Sequence, residues 1–358
     1  MAIIIFIFCL SFLIFLHEFG HFLAAKKAGV KVEEFGFGYP PRLFGIKKGE
    51  TIYSLNTLPF GGFVKILGED GRDRENRRSL ASRRPKIKSQ ILIAGIVMNL
   101  IFGIGLLSFG YLLGLPVLVD EKNIGEVKNL NLSILNVSSK TPASEAGIKA
   151  GDILLRARAD KEEIFGMTSE TFQKFIKKYQ GKEVVLTLQR QNQIFEKKVI
   201  SRLNPPKGEG PLGVVIGEAG TLRYPFFKSI AYGIRDGVKF FFNIFVALFY
   251  FVKSLILKTE TIGGIIGPVG ITAMGAQVVR LGVNYLLQFL AALSINLAAL
   301  NLIPFPALDG SRLLFVLIEK IKGKPVSARL ENLIHSFGFA CLILLVIVVT
   351  TKDIIRLF

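Results

Sequence analysis

The sequence predicts an α-helical polytopic membrane protein with four transmembrane helices, a membrane-associated β-hairpin region and one small soluble α+β domain. The 358 residues are 51% hydrophobic with a mean hydropathy of +0.48, which is too apolar for an ordinary soluble domain. Four apolar runs are long enough to cross a hydrocarbon core about 30 Å thick. Between the second and third runs, charged residues return and β-like runs alternate with a helical segment, as expected of a single soluble domain.

The predicted spans are residues 2–25, 91–115, 285–303 and 333–350. The first run lacks the basic start and the small-residue cleavage site of a signal peptide, so we expect it to stay in the membrane. Short β-like runs separated by glycines predict a hairpin region at residues 33–67. The predicted domains are 1–115 (two spans and the hairpin), 116–206 (soluble domain), 207–283 (interfacial linker) and 284–358 (last two spans).

Residues 238–257 leave two interpretations open. Their composition allows a further span, but one more crossing would reverse the later spans and place Asp309 and His17 on opposite sides of the membrane. Charged residues interrupt the longer segment 224–257 to which this region belongs, as expected of a helix that lies in the membrane interface; they are Arg235, Asp236, Lys239 and Lys253. We therefore predict an interfacial helix and retain a span as the alternative.

The net charge of the chain is +18, and one connection between spans carries a strong excess of basic residues. From Lys26 to Lys88 there are fifteen Lys or Arg and seven Asp or Glu, and such an excess is typical of a cytoplasmic loop. The soluble domain then faces the exterior, and the lipid bilayer is the expected partner. Nucleic acid is excluded as a partner because no basic helix or aromatic platform accompanies the charge. Cys9 and Cys341 lie in separate apolar runs and predict no disulfide framework.

An HExxH motif, His17-Glu18-Phe19-Gly20-His21, lies inside the first predicted span. Residues i and i+4 share one face of a helix, so both imidazoles can bind one Zn²⁺. Glu18 lies beside that position, where it can act as a base. Ionisable groups inside a span are costly and indicate function. The alternative, a polar pair that bridges helices, requires a compensating partner.

A catalytic zinc needs a third protein ligand and one open position. The candidate is Asp309, in the segment 301–310, where Pro304 and Pro306 end the third span. Non-helical backbone at membrane depth must be buried in protein or line a wet cavity, which places this carboxylate in a pocket. Capping of a helix that starts near Ser311 is an alternative role that does not exclude metal binding.

The HExxH motif, the NxxPxPxLDG segment at 301–310 and one soluble domain between the second and third spans resemble the site-2 proteases. The resemblance is to the bacterial zinc intramembrane proteases with a PDZ domain. It implies a zinc ion bound by His17, His21 and Asp309, with Glu18 as the catalytic base. It also implies cleavage of single-span membrane proteins already trimmed outside, such as anti-sigma factors or remnant signal peptides. The implied location is the bacterial inner membrane, with the PDZ-like domain outside.

Further residues are candidates for substrate binding through the same resemblance. Gly264, Gly267 and Pro268 lie in a GxxGP-like element, and Phe60, Gly61 and Gly62 lie in the region that corresponds to the family's hairpin. Asn296 and Asn301 precede the zinc segment, where they either contact the substrate or form hydrogen bonds between helices. His335 has no ligand spacing and is predicted to be an interface residue.

Residues 141–154 resemble a PDZ domain of the protease-associated type, with Gly147 and Gly151 at a turn into a strand. Residues 157–161 depart from the usual Asn-Gly turn, and no clear carboxylate-binding loop follows. Binding of peptide tails and a role as a steric filter therefore both remain open.

Two other function classes fit the sequence less well. A membrane scaffold with a relict metal site needs no base, whereas Glu18 is intact. A metal transporter would carry polar residues along several spans, and spans two and four have few. The sequence does not predict an oligomeric state.

Overall fold

The computed structural model describes residues 1–119, 125–190, 193–206, 208–257 and 266–357. The chain divides into two compact units. The first comprises Met1–Phe109, Ile230–Arg280 and Leu286–Phe358, and the second comprises Gly110–Ser229 and Leu281–Tyr285.

The described elements follow one another along the chain as helices, a β-rich middle and helices again. They are α1 (Ala2–Lys27), β1 (Val32–Lys48), β2 (Thr51–Ile66), a 3-10 turn (Leu80–Ser82), α2 (Pro85–Leu113), β3 (Leu115–Leu118), β4 (Lys128–Val137), α3 (Pro142–Glu145), β5 (Ile153–Ala159), β6 (Glu162–Phe165), α4 (Ser169–Lys178), β7 (Glu183–Arg190), β8 (Gln193–Ile200), β9 (Val214–Leu222), α5 (Phe226–Leu257), α6 (Pro268–Leu281), α7 (Val283–Leu302), α8 (Asp309–Lys322) and α9 (Ala328–Leu357).

Within the described residues, five helices are long and apolar enough to cross a membrane by length and composition alone. They are Ala2–Lys27, Pro85–Leu113, Phe226–Ser254, Val283–Leu302 and Ala328–Ile355. Four of them coincide with the predicted spans, and the fifth belongs to α5. The fold therefore has the helices of a polytopic membrane protein, whereas the number of crossings and the interfacial position of residues 238–257 stay predictions.

In the first unit, α2 packs closely against both α1 and α7. A Cβ at Gly20 of α1 would lie 2.5 Å from the carbonyl oxygen of Ala94, so the two backbones touch. On α7, Ser294 Oγ donates to the carbonyl oxygen of Asn99 at 2.7 Å. Helices in lipid associate through such close packing at small residues and through interhelical hydrogen bonds. These contacts hold α1 and α7 on the same central helix.

The hairpin of β1 and β2 is bent, so that the first half of β1 pairs on both sides. Phe35 lies opposite Val64 and also opposite Tyr53, whereas Lys48 at the end of β1 pairs only with Thr51. One face of the hairpin packs against α1 in a core of buried apolar side chains: Phe22, Ala25, Val30, Val32, Phe35, Ile66, Leu80 and Ile91. The predicted hairpin region at residues 33–67 therefore contains an antiparallel sheet packed on the first helix.

The second unit is an antiparallel sheet with the strand order β3-β9-β4-β5-β7-β8, and β6 pairs with β5. The helix α4 buries Phe172, Phe175 and Ile176 in the core. A groove of about 500 Å³ is lined by residues that include Ile176 of α4 and Val214 of β9. This is an α+β unit, and its likeness to a PDZ domain stays a prediction. Tail binding and a steric filter also both remain open.

The strand β9 differs from the prediction of a linker at residues 207–283. Val214–Leu222 pair with β4 along their length and with β3 at their end. Two glycines, Gly217 and Gly220, weaken the local β pattern. The pairing partners on either side, rather than local propensity, therefore make this segment a strand.

Candidate metal centre

His17 and His21 lie one turn apart on α1, and both side chains are buried, at 7% and 6% exposure. Their i, i+4 spacing places the imidazoles on the same face of the helix. That face packs closely against α2 at Gly95, because a Cβ at Gly95 would lie 2.4 Å from His21 Nε2. The absence of a side chain at Gly95 therefore leaves room for the two rings.

Asp309 is the first residue of α8 and follows the turn that Pro304 and Pro306 keep out of the helix. Leu308, not Asp309, occupies the N-cap position, which corrects the alternative of an aspartate cap. A Cβ at Gly310 would lie 2.2 Å from the carbonyl oxygen of Ile303. Only glycine therefore lets the chain fold back so tightly next to this carboxylate.

The structure brings His17, His21 and Asp309 together. His17 Nε2 lies 2.8 Å from Asp309 Oδ2, His21 Nε2 lies 3.1 Å from the same oxygen, and the two Nε2 atoms are 3.1 Å apart. Within the described part of the chain, these are the residues whose ligand atoms group closely enough to hold a metal ion. Two imidazoles and one carboxylate match the donor set of a catalytic zinc.

Hydrogen bonding around the cluster also fits a metal. His21 Nδ1 donates to the carbonyl oxygen of Ile91 at 2.8 Å, which leaves Nε2 as the ring atom that can bind a metal, as in most histidine–zinc sites. Burial opposes ionisation of the Asp309 carboxyl, but its hydrogen bonds with His17 and His21 outweigh burial and hold the pKa of Asp309 well below its usual range. A buried carboxylate in its charged form is the state that binds a divalent cation.

A cavity of about 470 Å³ adjoins the cluster, and Glu18, His21 and Asp309 line it together. Arg312 and Glu69 also line this cavity and form an ion pair with each other. Burial opposes the charge of Arg312, but the Glu69 carboxylate outweighs burial and raises the pKa of Arg312 above its usual value. The cavity therefore holds a carboxylate, Glu18, next to the cluster and a fixed ion pair farther along its wall.

None of the predicted substrate-binding residues that the structure describes in full lines this cavity. Gly61 and Gly62 pack against Ile14 and Phe15 of α1, since a Cβ at either position would come within about 3 Å of those side chains. Phe60 belongs to β2, and its side chain lies outside the described atoms. A contact with the substrate at these three positions stays a prediction.

The remaining described candidates lie at the start of α6 and on α7. Gly267 packs against α9, where its Cβ would lie 2.7 Å from Asp353 Oδ2, and Pro268 begins α6. Gly264 lies outside the described residues. Asn296 and Asn301 are half-buried on α7, and the choice between substrate contact and interhelical hydrogen bonding stays open.

Sequence reasoning missed Asn99 and did not place His335 at the cavity. Asn99, one turn beyond Gly95 on α2, is fully buried, and neither atom of its amide has a hydrogen-bond partner among the described residues. His335 lines the cavity and accepts a hydrogen bond from the backbone N–H of Ala307 at 3.1 Å. A polar residue inside a predicted span is the signal that identifies both.

Known proteins with a similar sequence are named as proteases, and most of these names specify zinc. The model of peptidase family M50 matches residues 5–345. A putative zinc metalloprotease of Clostridium perfringens is 36% identical over 357 residues, which is 99% of both chains. A putative zinc metalloprotease of Nostoc is 32% identical, over all of this chain and 97% of its own length. The regulator of sigma-W protease RasP of Bacillus subtilis is 29% identical, over all of this chain and 99% of its own length.

The donor set of the cluster agrees with these names, which imply Zn²⁺ as the metal. The family model extends over most of the chain, and one relative aligns with it from end to end. This chain therefore belongs to peptidase family M50, the site-2 proteases, and is a membrane zinc metalloendopeptidase.

Proposed function

We propose that this protein cleaves single-span membrane proteins within the bilayer, with His17, His21 and Asp309 as zinc ligands and Glu18 as the catalytic base. The convergence of three ligand atoms beside a cavity lined by Glu18 carries the proposal. The Glu18 carboxylate has no role as a ligand in this arrangement. A base beside a three-ligand site is the constellation that metal-assisted hydrolysis needs.

Each residue of the site has a separate task in this mechanism. His17, His21 and Asp309 would hold the zinc ion, which when bound would supply a water of lowered pKa and a Lewis acid for the peptide carbonyl. Glu18 accepts a proton from the attacking water and then delivers it to the leaving amide nitrogen, so that water adds across the peptide bond. Asp309 holds its carboxylate in position through the tight turn at Gly310.

The end of β2 supports a route for the substrate. Val64 and Ile66 line the cavity, and in the described part of the hairpin residues 62–66 pair with β1 on one side. An extended peptide can add to the other side of such a strand. A transmembrane helix must unwind before its carbonyls become reachable, and strand pairing stabilises the unwound segment.

The substrate class follows from the family and the name of one relative. The Bacillus subtilis protein is named a regulator of sigma-W protease, which supports a membrane-bound anti-sigma factor as the substrate here. Remnant signal peptides are the other single-span class that we propose. The proposed location is a bacterial inner membrane with the β-rich unit on the outer side, where substrates are trimmed beforehand.

The test is cleavage of a tagged single-span substrate by the purified protein in detergent, with zinc content measured on each sample. We expect Glu18→Gln to lower the rate at least 100-fold, the scale of a lost general base, while about one zinc per chain remains. Glu75→Gln, which alters an exposed glutamate, serves as the control and should cleave normally. Equal cleavage by Glu18→Gln and the wild type would rule out Glu18 as the base.

A further inference from the structure

The turn that follows β2 is joined to α8 by an ion pair. Glu69 lies three residues after Ile66, and its backbone N–H donates to the carbonyl oxygen of Ile66 at 3.2 Å. Its carboxylate accepts a hydrogen bond from Nη1 of Arg312, a residue 243 positions away in sequence. Arg312 follows Asp309 by three positions on α8, so the two side chains are neighbours on that helix. The ion pair therefore connects the end of β2 to the helical turn that carries the proposed metal ligand.

Both partners of this ion pair lie in a thin wall between two cavities. Their side chains are only 30% and 31% exposed, so water screens their attraction less than it screens a surface pair. The residues that line both the 470 Å³ cavity and a second cavity of about 60 Å³ are Glu69, Leu80, Leu92 and Arg312. Of these four, Arg312 is the residue that α8 supplies. Among the described residues, no other hydrogen bond joins α8 to residues 67–71. The ion pair is therefore the polar link that fixes this turn against α8.

This turn continues the strand along which we propose that the substrate pairs. Val64 and Ile66 at the end of that strand line the cavity beside the metal cluster. A peptide paired with a strand takes its register from that strand, and one residue of register corresponds to about 3.3 Å along it. Reacting atoms must come within about 3–3.5 Å of each other. The position of β2 relative to Asp309 therefore decides which peptide bond of the substrate can react.

We propose that the Glu69–Arg312 ion pair sets the cleavage site, because it fixes the end of β2 relative to Asp309 and so presents one peptide bond of the bound substrate to the metal centre. Glu69 and Arg312 are positioning residues, since they act through the strand and the helix and not on the reacting atoms. The inference rests on the active site and the strand pairing proposed above. Without the ion pair, the metal ligands stay in place, but the end of β2 can shift and neighbouring peptide bonds become reachable.

Three variants remove the ion pair in different ways. Glu69→Gln and Arg312→Gln each remove the charge of one partner, whereas the double variant removes both and leaves no unpaired charge in the wall. Asp70→Asn and Arg72→Gln are the matched controls. They alter an ion pair in the same loop whose side chains are 48% and 75% exposed. The controls have the same chemistry as the test variants, but the pair that they alter does not reach α8.

The experiment determines where each purified full-length variant, loaded with zinc, cuts a tagged single-span substrate in detergent. Mass spectrometry of both products gives the share of cleavage at each peptide bond, and kcat is measured on the same samples. We expect the wild type to cut mainly at one bond. In each Gln variant, the share at bonds one or two positions away should rise at least about fivefold and kcat should fall about 10-fold, within the loss that a 1 Å misplacement causes.

Two comparisons accompany this result. The double variant should match the single variants within about twofold, because each single substitution already removes the link. Both controls should keep the cleavage site and the rate of the wild type. Zinc content should stay at about one ion per chain in every variant, since no metal ligand is changed.

An unchanged cleavage site in the single and double variants would overturn the proposal, and so would an equal spread of sites in the two controls. Effects that add in the double variant would mean that Glu69 and Arg312 act separately, which contradicts a shared link. Complete loss of cleavage in the zinc-loaded variants would also contradict a positioning role. Glu18→Gln, measured in parallel, tests the active site itself. If the wild type cleaves, Glu18→Gln does not, and the cleavage site never changes, the active site stands and only the role of the ion pair is lost.

Discussion

Gly95 of α2 lies against both imidazoles. A Cβ at this position would lie 2.4 Å from His21 Nε2 and 2.9 Å from His17 Cε1. Side chains in a close-packed interior cannot give way by that much without moving their neighbours. Since glycine costs about 1 kcal/mol relative to alanine inside a helix, its presence here is explained by the site and not by the helix.

We therefore expect Gly95→Ala to weaken zinc binding by about 10- to 100-fold, the range for lost support of a metal ligand. Titration of the purified apoprotein against a competing zinc chelator measures this change. Gly105→Ala on the same helix is the control, because a Cβ there would meet no atom within 4 Å. Unchanged zinc affinity in Gly95→Ala would show that the two helices can separate without disturbing the ligands.

Single residues differ in how far the sequence alone predicts them. The pairing of His17 with His21 follows from helical spacing, and Asp309 follows from a proline stop at the end of an apolar run. The role of Gly95 cannot be predicted in this way, because it depends on which face of α2 meets α1. Sequence reasoning assigns His335 to an interface for want of a ligand spacing, whereas its partner is a backbone N–H 28 residues away.

Helices are the elements that hydropathy predicts best, and their ends are predicted less well. The second predicted span starts at residue 91, whereas α2 starts at Pro85; the fourth starts at 333, whereas α9 starts at Ala328. Hydropathy detects the part of a helix that suits hydrocarbon. Backbone hydrogen bonding continues past that part into charged turns, so the helix is longer than its apolar run.

The direction of α7 bears on whether α5 crosses the membrane. Asn284, at the start of α7, donates to the carbonyl oxygen of Gly114, just after the end of α2, whereas Ser294, farther along α7, donates to that of Asn99, farther back in α2. The two helices are therefore antiparallel, and if both span the membrane as predicted, the chain between them crosses it an even number of times. If α5 crosses, a second crossing must return, and α6, with 14 residues, spans only about 21 Å. The number of crossings between α2 and α7 is even if both ends of α5 lie on the same side of the membrane.

Cysteine labelling tests this prediction for α5. In a background without Cys9 and Cys341, single cysteines replace Ile234 and Ile256, which are 49% and 74% exposed. A membrane-impermeant maleimide added outside intact cells should label both positions. A cysteine at Ile321 of α8, 76% exposed and on the predicted cytoplasmic side, is the control that should stay unlabelled. Labelling of Ile234→Cys but not Ile256→Cys would indicate that α5 crosses.

At the scale of the whole molecule, the metal cluster joins the two ends of the chain. His17 and Asp309 are 292 residues apart in sequence, yet both belong to the first unit, whereas the second unit is inserted between them. The ligands come from α1 and from the first residue of α8, which local sequence does not bring together. Because a metal that binds only the folded state adds its binding free energy to stability, zinc should stabilise the first unit selectively.

Removal of zinc should therefore loosen the first unit and leave the second unchanged. At a free zinc concentration 1,000 times its dissociation constant, the bound metal contributes about 4 kcal/mol. Hydrogen exchange on the full-length protein in detergent, with and without a chelator, measures this difference segment by segment. We expect faster exchange at the start of α8 and around His21 after chelation, reversed by added zinc, and constant exchange in β5 and β7. Equal acceleration in those strands would mean that the two units unfold together, and no acceleration at α8 would argue against Asp309 as a ligand.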